Sequence, residues 1–220
     1  MPGGYRAVVF DIDGTIVEPV SSWRYIHEKL GKWDVLAFRY QELFQAGKIT
    51  YRQFCKMDAV HWKGMREDEM AGLFHDVRYF ANVETCMRRL RKKGLRLMAV
   101  STGLQFLAEK VKRELGFERV ECNRLKHRAG VLTGGVEINI PHGGKGRMLK
   151  RMLKEEGIDA SAVVGVGDSE GDIPMTRVCG YSIAFNVSCG KLARSVDYVC
   201  KTKDFKEVCT RIESLTKGEG

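Results

Sequence analysis

The sequence predicts a doubly wound, Rossmann-like α/β fold, a mainly parallel sheet with a small helical cap inserted after the first strand. Three observations carry this. Short β-branched runs alternate with amphipathic stretches from about residue 79 onward, the connections are short, and three of the runs end in polar residues. Strands buried on both faces of a parallel sheet read as continuous apolar runs, and their carboxyl ends converge on one edge, where ligands bind. A chain of 220 residues holds one sizeable core, or one core plus a smaller inserted module.

The first strand is Val8-Val9-Phe10, which runs out into Asp11-Ile12-Asp13-Gly14-Thr15. Two carboxylates one residue apart at the end of a buried strand repel each other unless a cation or a reacting group compensates, so chemistry is expected here. From Val20 to about Arg78 the strand logic stops. The segments Trp23 to Leu30, Asp34 to Ala46, Thr50 to Trp62 and Glu67 to Val77 carry apolar residues at three- and four-residue spacing, which predicts helices. Gly31, Gly47 and Gly64 are the expected stops, and Thr50 an amino-terminal cap. Residues 18–78 are therefore expected to form the cap, and residues 1–17 with 79–220 the α/β core.

The core elements follow in order. A helix from Val83 to Lys93, ended by Gly94, precedes a strand Leu95 to Val100, then Ser101-Thr102-Gly103 and a helix from Gln105 to Leu115. Gly130, Gly134 and Gly135 among Val, Leu, Thr and Ile make Arg119 to Ile140 a predicted β-hairpin. A helix Lys145 to Glu156 leads to a strand Ala162 to Val166 and the loop Gly167-Asp168-Ser169-Glu170-Gly171-Asp172. A helix near Pro174 to Val178, a strand Ser182 to Phe185, a short helix at Lys191, a strand Asp197 to Cys200 and a helix Phe205 to Leu215 complete the chain.

Composition narrows the function classes. No apolar run approaches the ~18 residues of a membrane span, and the expectation is a cytoplasmic protein without membrane association. Seven cysteines with no Cys-x-x-Cys pair argue against structural zinc and a disulfide framework. The net charge is +9, with basic runs at residues 88–93, 110–113 and 145–154. Carboxylates intervene and aromatic residues are not interleaved, which argues against nucleic acid; a positive field instead favours anionic substrates such as phosphate esters. Gly143-Gly144-Lys145-Gly146 lacks the upstream glycine and the following Ser or Thr of a nucleotide-binding loop.

In order along the chain, Asp11-Ile12-Asp13-Gly14-Thr15, Ser101-Thr102-Gly103, Lys145 and Gly167-Asp168-Ser169-Glu170-Gly171-Asp172 resemble the four motifs of the haloacid dehalogenase superfamily, covering residue 8 to about 186. The helical insert, Gly47-Lys48-Ile49-Thr50 and Cys122-Asn123-Arg124-Leu125 are most similar to its phosphoserine phosphatase branch. The resemblance implies a Mg²⁺-dependent phosphatase acting on a small phosphorylated metabolite, with phosphoserine, sugar phosphates and nucleotide phosphates as alternatives. Phosphotransfer, or a phospho-accepting signalling domain, is the rival reading.

Residue chemistry fits that resemblance. Asp11 is the natural nucleophile, forming an aspartyl-phosphate, and Asp13 can protonate the leaving oxygen and then activate water. Mg²⁺ suits an all-oxygen site, with Asp11 and Asp168 as ligands, and the resemblance adds the Asp13 backbone carbonyl. Lys145 and the Ser101 hydroxyl would meet phosphoryl oxygens, and Thr102 and Gly103 would stand at a helix amino terminus that favours phosphate. Asp172 would hold Lys145 or a metal-bound water.

The resemblance also implies an acidic residue shortly after the first motif, for which Glu18 is the candidate, and an arginine in the cap. No arginine lies between Arg52 and Arg66, and Gly171 stands where the branch has asparagine. Glu18, Trp23, Arg52, Lys56 and Trp62 are the specificity candidates. The histidines at 27, 61, 75, 127 and 142 are scattered and receive no role.

Overall fold

Ala7–Phe10 form the central strand, β1, and all four residues are fully buried. The computed structural model describes residues 4–33 and 37–216. Alternation explains the burial: Ala7 and Val9 enter an apolar cluster on one face of the sheet, Val8 and Phe10 a larger one on the other. The remaining strands are β2 (Arg96–Leu104), β3 (Arg119–Arg128), β4 (Val131–Glu137), β5 (Val163–Gly167), β6 (Tyr181–Ala184) and β7 (Tyr198–Val199). They form one sheet in the order β4-β3-β2-β1-β5-β6-β7, parallel except for the β3–β4 hairpin. The chain leaves β1 toward β2 and later returns beside it as β5. The carboxyl ends of β1 and β5 therefore flank the point where strand order reverses, a ready crevice.

Among the described residues, four α-helices lie between β1 and β2: α1 (Ser22–Lys29), α2 (Phe38–Gln45), α3 (Tyr51–Val60) and α4 (Glu67–Gly72). Beyond them come α5 (Val83–Lys92), α6 (Gln105–Leu115), α7 (Lys145–Glu156), α8 (Ile173–Thr176), α9 (Gly190–Ala193) and α10 (Lys206–Thr216). Residues of α5, α6 and α10 share the cluster of Phe10, while Met148, Leu149, Met152 and Met175 of α7 and α8 share that of Val9. Basic side chains on these helices are interleaved with acids: Arg89 pairs with Glu213, Lys110 with Glu114 and Arg151 with Glu155. No helix among the described residues is long and apolar enough to cross a membrane.

Thr50 caps α3 as expected, accepting from the Gln53 N–H at 3.2 Å while Gln53 Oε1 accepts from the Thr50 N–H at 2.8 Å. The predicted start of the second helix at Asp34 lies outside the described residues. Two expectations change. The fourth helix ends at Gly72 instead of Val77, because beyond it the hydrogen bonds tighten to three-residue spacing, Phe74 to Ala71 and Val77 to Phe74. That turn brings Phe74 and Val77 into the core. The second strand runs on through Ser101-Thr102-Gly103 to Leu104, with its register against β3 shifting between Val100 and Leu104. The second motif is thus the irregular end of a strand.

The four helices are held by more than the two chain crossings into them. Trp23, Ile26, Trp62, Met70 and Phe74 belong to the same apolar cluster as Phe10. The hairpin also binds them through backbone: Leu132 N–H donates to Met65 at 2.8 Å and Gly64 N–H to Leu132 at 2.9 Å. A buried pair, His27 Nε2 and Asp58 Oδ1 at 3.1 Å, joins α1 to α3.

Phe205 is fully buried, its ring centroid 6.0 Å from Phe10 and 5.0 Å from Phe185. Phe205→Ala is expected to lower unfolding free energy by about 3–5 kcal/mol, read as a lowered urea midpoint at unchanged slope.

Candidate active site

The ends of β1, β2 and β5 and the start of α7 meet at the crevice. Asp11 follows β1 directly, and its N–H donates to Val166 at 2.9 Å, so the strand ladder fixes its backbone. Lys145 is the first residue of α7 and is buried. Its ammonium donates to Asp11 Oδ1 at 2.5 Å and to Asp172 Oδ1 at 2.6 Å. The other Asp172 oxygen accepts from Asp168 N–H and Ser169 N–H at 3.0 Å and from Ser169 Oγ at 3.1 Å. Asp172 lies in the acidic triad, but both of its oxygens are committed, so of its two expected roles the geometry favours holding Lys145.

The electrostatics are unbalanced. Carboxylate oxygens of Asp11, Asp168 and Asp172 lie within 4.8 Å of one another, all buried, against one ammonium. Burial pushes the Asp11 carboxyl well above its usual range; Lys145 pulls against it, and Asp172, Asp168 and Asp13 add to the rise. Burial and then the Asp172 charge push Asp168 up to about 7. Burial would lower the Lys145 ammonium, but Asp11 and Asp172 outweigh it and keep it protonated. A group of this kind invites a second cation. The donors are all oxygen, Lys145 occupies one Asp11 oxygen, and among the described residues no donor meets Asp168 Oδ2. These features fit Mg²⁺ held by Asp11 and Asp168.

Asp13 stands beside this group. Its Oδ2 accepts from the Ser101 hydroxyl at 3.0 Å, and its Oδ1 is buried without a hydrogen-bond partner. Burial pushes its carboxyl up, while Ser101, Lys145 and Ser22 pull it back. Ser101 Oγ in turn accepts from Gly103 N–H at 2.8 Å. A Cβ on Gly103 would lie 2.3 Å from Asp13 Oδ2 and 2.5 Å from Ser22 Oγ, so only glycine permits this approach. Gly14 has φ +79°, and a Cβ there would meet Asp168 Oδ2 at 2.8 Å.

A cavity of about 100 Å³ opens over these groups. Asp11, Asp13 and Lys145 line it with Thr102, Gly103 and Trp23. A larger hollow of about 520 Å³ along α10 shares no residue with it and gathers no comparable cluster of buried charge. Several expectations are corrected by the placement. Glu18 is not among the lining residues: its N–H donates to Arg78 O at 3.0 Å and its carboxylate pairs with the Arg78 guanidinium at 3.0 Å, and Val20 lines the cavity in its stead. Arg52 and Lys56 are exposed on α3, and Trp62 packs between Trp23 and His27 inside the helices. Thr102 and Gly103 precede the α6 cap, Leu104, and the Gly103 N–H is already bonded to Ser101, so it offers no free donor to phosphate.

Sequence reasoning missed Ser22 and His142. Ser22 opens α1, and its hydroxyl accepts from Leu104 N–H at 3.1 Å beside Asp13. His142 lines the cavity from the turn before Lys145, its ring 5.4 Å from Phe44 and 6.1 Å from Tyr51. The Ser before a helical pattern was a readable signal, whereas nothing in the sequence set His142 apart from the other histidines.

A buried acidic triad at the reversal point of a doubly wound sheet, bridged by a lysine, is matched at the level of sequence by the haloacid dehalogenase-like hydrolase family over residues 8–177. The chain belongs to that family. It is similar to the phosphoserine phosphatase of Methanocaldococcus jannaschii, 26% identical over 211 residues, which cover 94% of this chain and 98% of that one. Phosphoserine phosphatase SerB2 of Mycobacterium tuberculosis is 28% identical over 97% of this chain, which spans 52% of that relative's length. A solved phospho-aspartyl intermediate analogue of a phosphoserine phosphatase superposes with a TM-score of 0.80 at 25% identity, over 95% of this chain and 99% of that one. Within its family the chain is a phosphatase.

Gly103→Ala is expected to lower turnover at least 100-fold while the protein stays folded by circular dichroism. Asp168 gives a pH signature. A free aspartate carboxyl titrates near 3.8, and in the fold Asp168 keeps its proton to about 7, so its contribution to stability is full below about pH 4 and is lost as pH rises through 7. In metal-free protein, Asp168→Asn is expected to raise the melting temperature at pH 8 and to leave it nearly unchanged at pH 4.

Proposed function

We propose that the protein hydrolyses a small phosphate monoester with Mg²⁺ through an aspartyl-phosphate on Asp11. The observation that carries this is the pairing of Asp11 with buried Lys145, next to Asp168 and within reach of a separately held Asp13. Lys145 fixes one oxygen of Asp11 and leaves the carboxylate rigid for attack on phosphorus. As the phosphorus bond to the leaving oxygen breaks, Asp13 gives that oxygen its proton; burial pushes this carboxyl toward its protonated form. Asp13 then takes a proton from water, whose oxygen attacks phosphorus and releases Asp11 and inorganic phosphate. Ser101 has one hydroxyl proton, donated to Asp13 in this structure; turning it toward a phosphoryl oxygen frees Asp13 for proton transfer. Mg²⁺, held by Asp11 and Asp168, would neutralise charge on the phosphoryl group.

Residues 18–78 form the lid of this site in our reading, and 1–17 with 79–220 the catalytic core. Ser22 and Trp23 form part of the cavity wall, so the lid's departure opens the site and its closure excludes water. A cavity of about 100 Å³ supports a small leaving group. The relatives' names make phosphoserine the first compound to examine. Seven cysteines without a disulfide among them support a reducing, cytoplasmic setting.

With Mg²⁺, purified protein is expected to hydrolyse a generic aryl phosphate, and EDTA to stop it. Asp11→Asn should lower kcat by 10³-fold or more, consistent with loss of a nucleophile; wild-type turnover in that variant sinks the mechanism. Phosphoserine, sugar phosphates and nucleotide phosphates compared by kcat/KM identify the substrate.

A further inference from the structure

Asn123, in the Cys122-Asn123-Arg124-Leu125 run of β3, is fully buried and takes no part in the chemistry above. A buried carboxamide is costly unless its donors and acceptor are met. Here they are met by three separate walls of the site. Oδ1 accepts from Ile140 N–H at 2.9 Å, and Nδ2 donates to Thr102 O at 2.9 Å, with Ile140 O and Tyr51 Oη each at 3.2 Å. Thr102 lies between Ser101 and Gly103. Ile140 enters the turn that delivers Lys145, and Tyr51 begins α3 of the helical segment.

The Thr102 carbonyl is the meeting point. Besides Asn123 it accepts from Trp23 Nε1 at 3.1 Å and from the Tyr51 hydroxyl at 3.3 Å. Two of its three donors therefore come from the helices, and the third from the sheet. A carbonyl oxygen has two lone pairs, so the three donors compete and the two from the helices can leave while Asn123 keeps the oxygen satisfied.

We propose that Asn123 is a positioning residue that holds Ser101 and Lys145 in register, and that the Thr102 carbonyl is the catch on which Tyr51 and Trp23 close the helical segment. Asn123 touches neither substrate nor reacting atoms; it acts through the backbone at Thr102 and Ile140. Displacement of a phosphoryl-contacting group by a fraction of an ångström to 1 Å costs on the order of 10²-fold in rate, which sets the scale of the effect. The inference rests on the phosphatase reading of the same site.

The test uses whole protein with Mg²⁺ and an aryl phosphate, measuring the burst of phosphoenzyme formation together with KM. Asn123→Leu keeps the branching and the number of heavy atoms and deletes the hydrogen bonds; its burst is expected to slow at least tenfold with KM changed less than threefold. Asn123→Asp keeps the shape but turns an acceptor toward two carbonyls, and is expected to be at least as slow. A residue that merely fills space predicts the reverse, an Asp variant near wild type. Tyr51→Phe, which removes one hydroxyl, is expected to raise KM threefold or more at an unchanged burst rate. A burst within twofold of wild type in either Asn123 variant overturns the proposal. If those variants do not fold, Tyr51→Phe decides, and unchanged KM and burst there overturn it. Absence of aryl phosphate hydrolysis and of any phosphoenzyme in the wild-type protein with Mg²⁺ counts against the phosphatase reading instead.

Discussion

The ion pair of Lys145 with Asp11 and Asp172 is the constraint on which the rest of the site depends. Three carboxylates buried within 4.8 Å of one another would not be tolerated without a cation among them, and among the described residues only Lys145 supplies one. Desolvating such a group costs more than the direct attraction returns unless every remaining lone pair is bonded. Asp172 meets that condition fully, through Asp168, Ser169 and Lys145. Asp168 does not, and its raised carboxyl records the deficit. The fold therefore concentrates buried negative charge at one point, in all-oxygen surroundings that would suit a divalent cation.

The helices between β1 and β2 are part of this arrangement. They share the apolar cluster of β1, bind the β3–β4 hairpin through backbone, and place Ser22 and Trp23 at the cavity. The glycines of the first two motifs answer to the same crowding. Gly14 clears Asp168 and Gly103 clears Asp13 and Ser22, so two carboxylates reach their places because side chains are missing opposite them. Wall and floor of the cavity consequently share a residue: Ser22 belongs to the cavity wall and also bears on Asp13.

A solved structure of a phosphoserine phosphatase shares the fold, but the wall above Asp11 differs from the expectation that the resemblance raised. Glu18 faces Arg78, while Val20 and His142 line the cavity.

What the sequence determined by itself was everything governed by local periodicity and by strand-end chemistry. The buried strand Val8-Val9-Phe10, the Thr50 cap, α7 from Lys145 to Glu156, the hairpin, and the convergence of Asp11, Ser101 and Asp168 at one sheet edge were all legible, because each follows from neighbours a few residues apart or from the direction of parallel strands. Tertiary structure alone decided where single side chains turn. Glu18 points to Arg78 because its backbone is bonded there, β2 runs past Val100 because Leu104 still pairs with Asn123, and α4 stops at Gly72 because Phe74 and Val77 turn into the core. His142 has no local signal, and the contacts of Ser22 and Asn123 were not legible either, since their partners stand far along the chain and the distances between them exist only once the sheet has closed around β1.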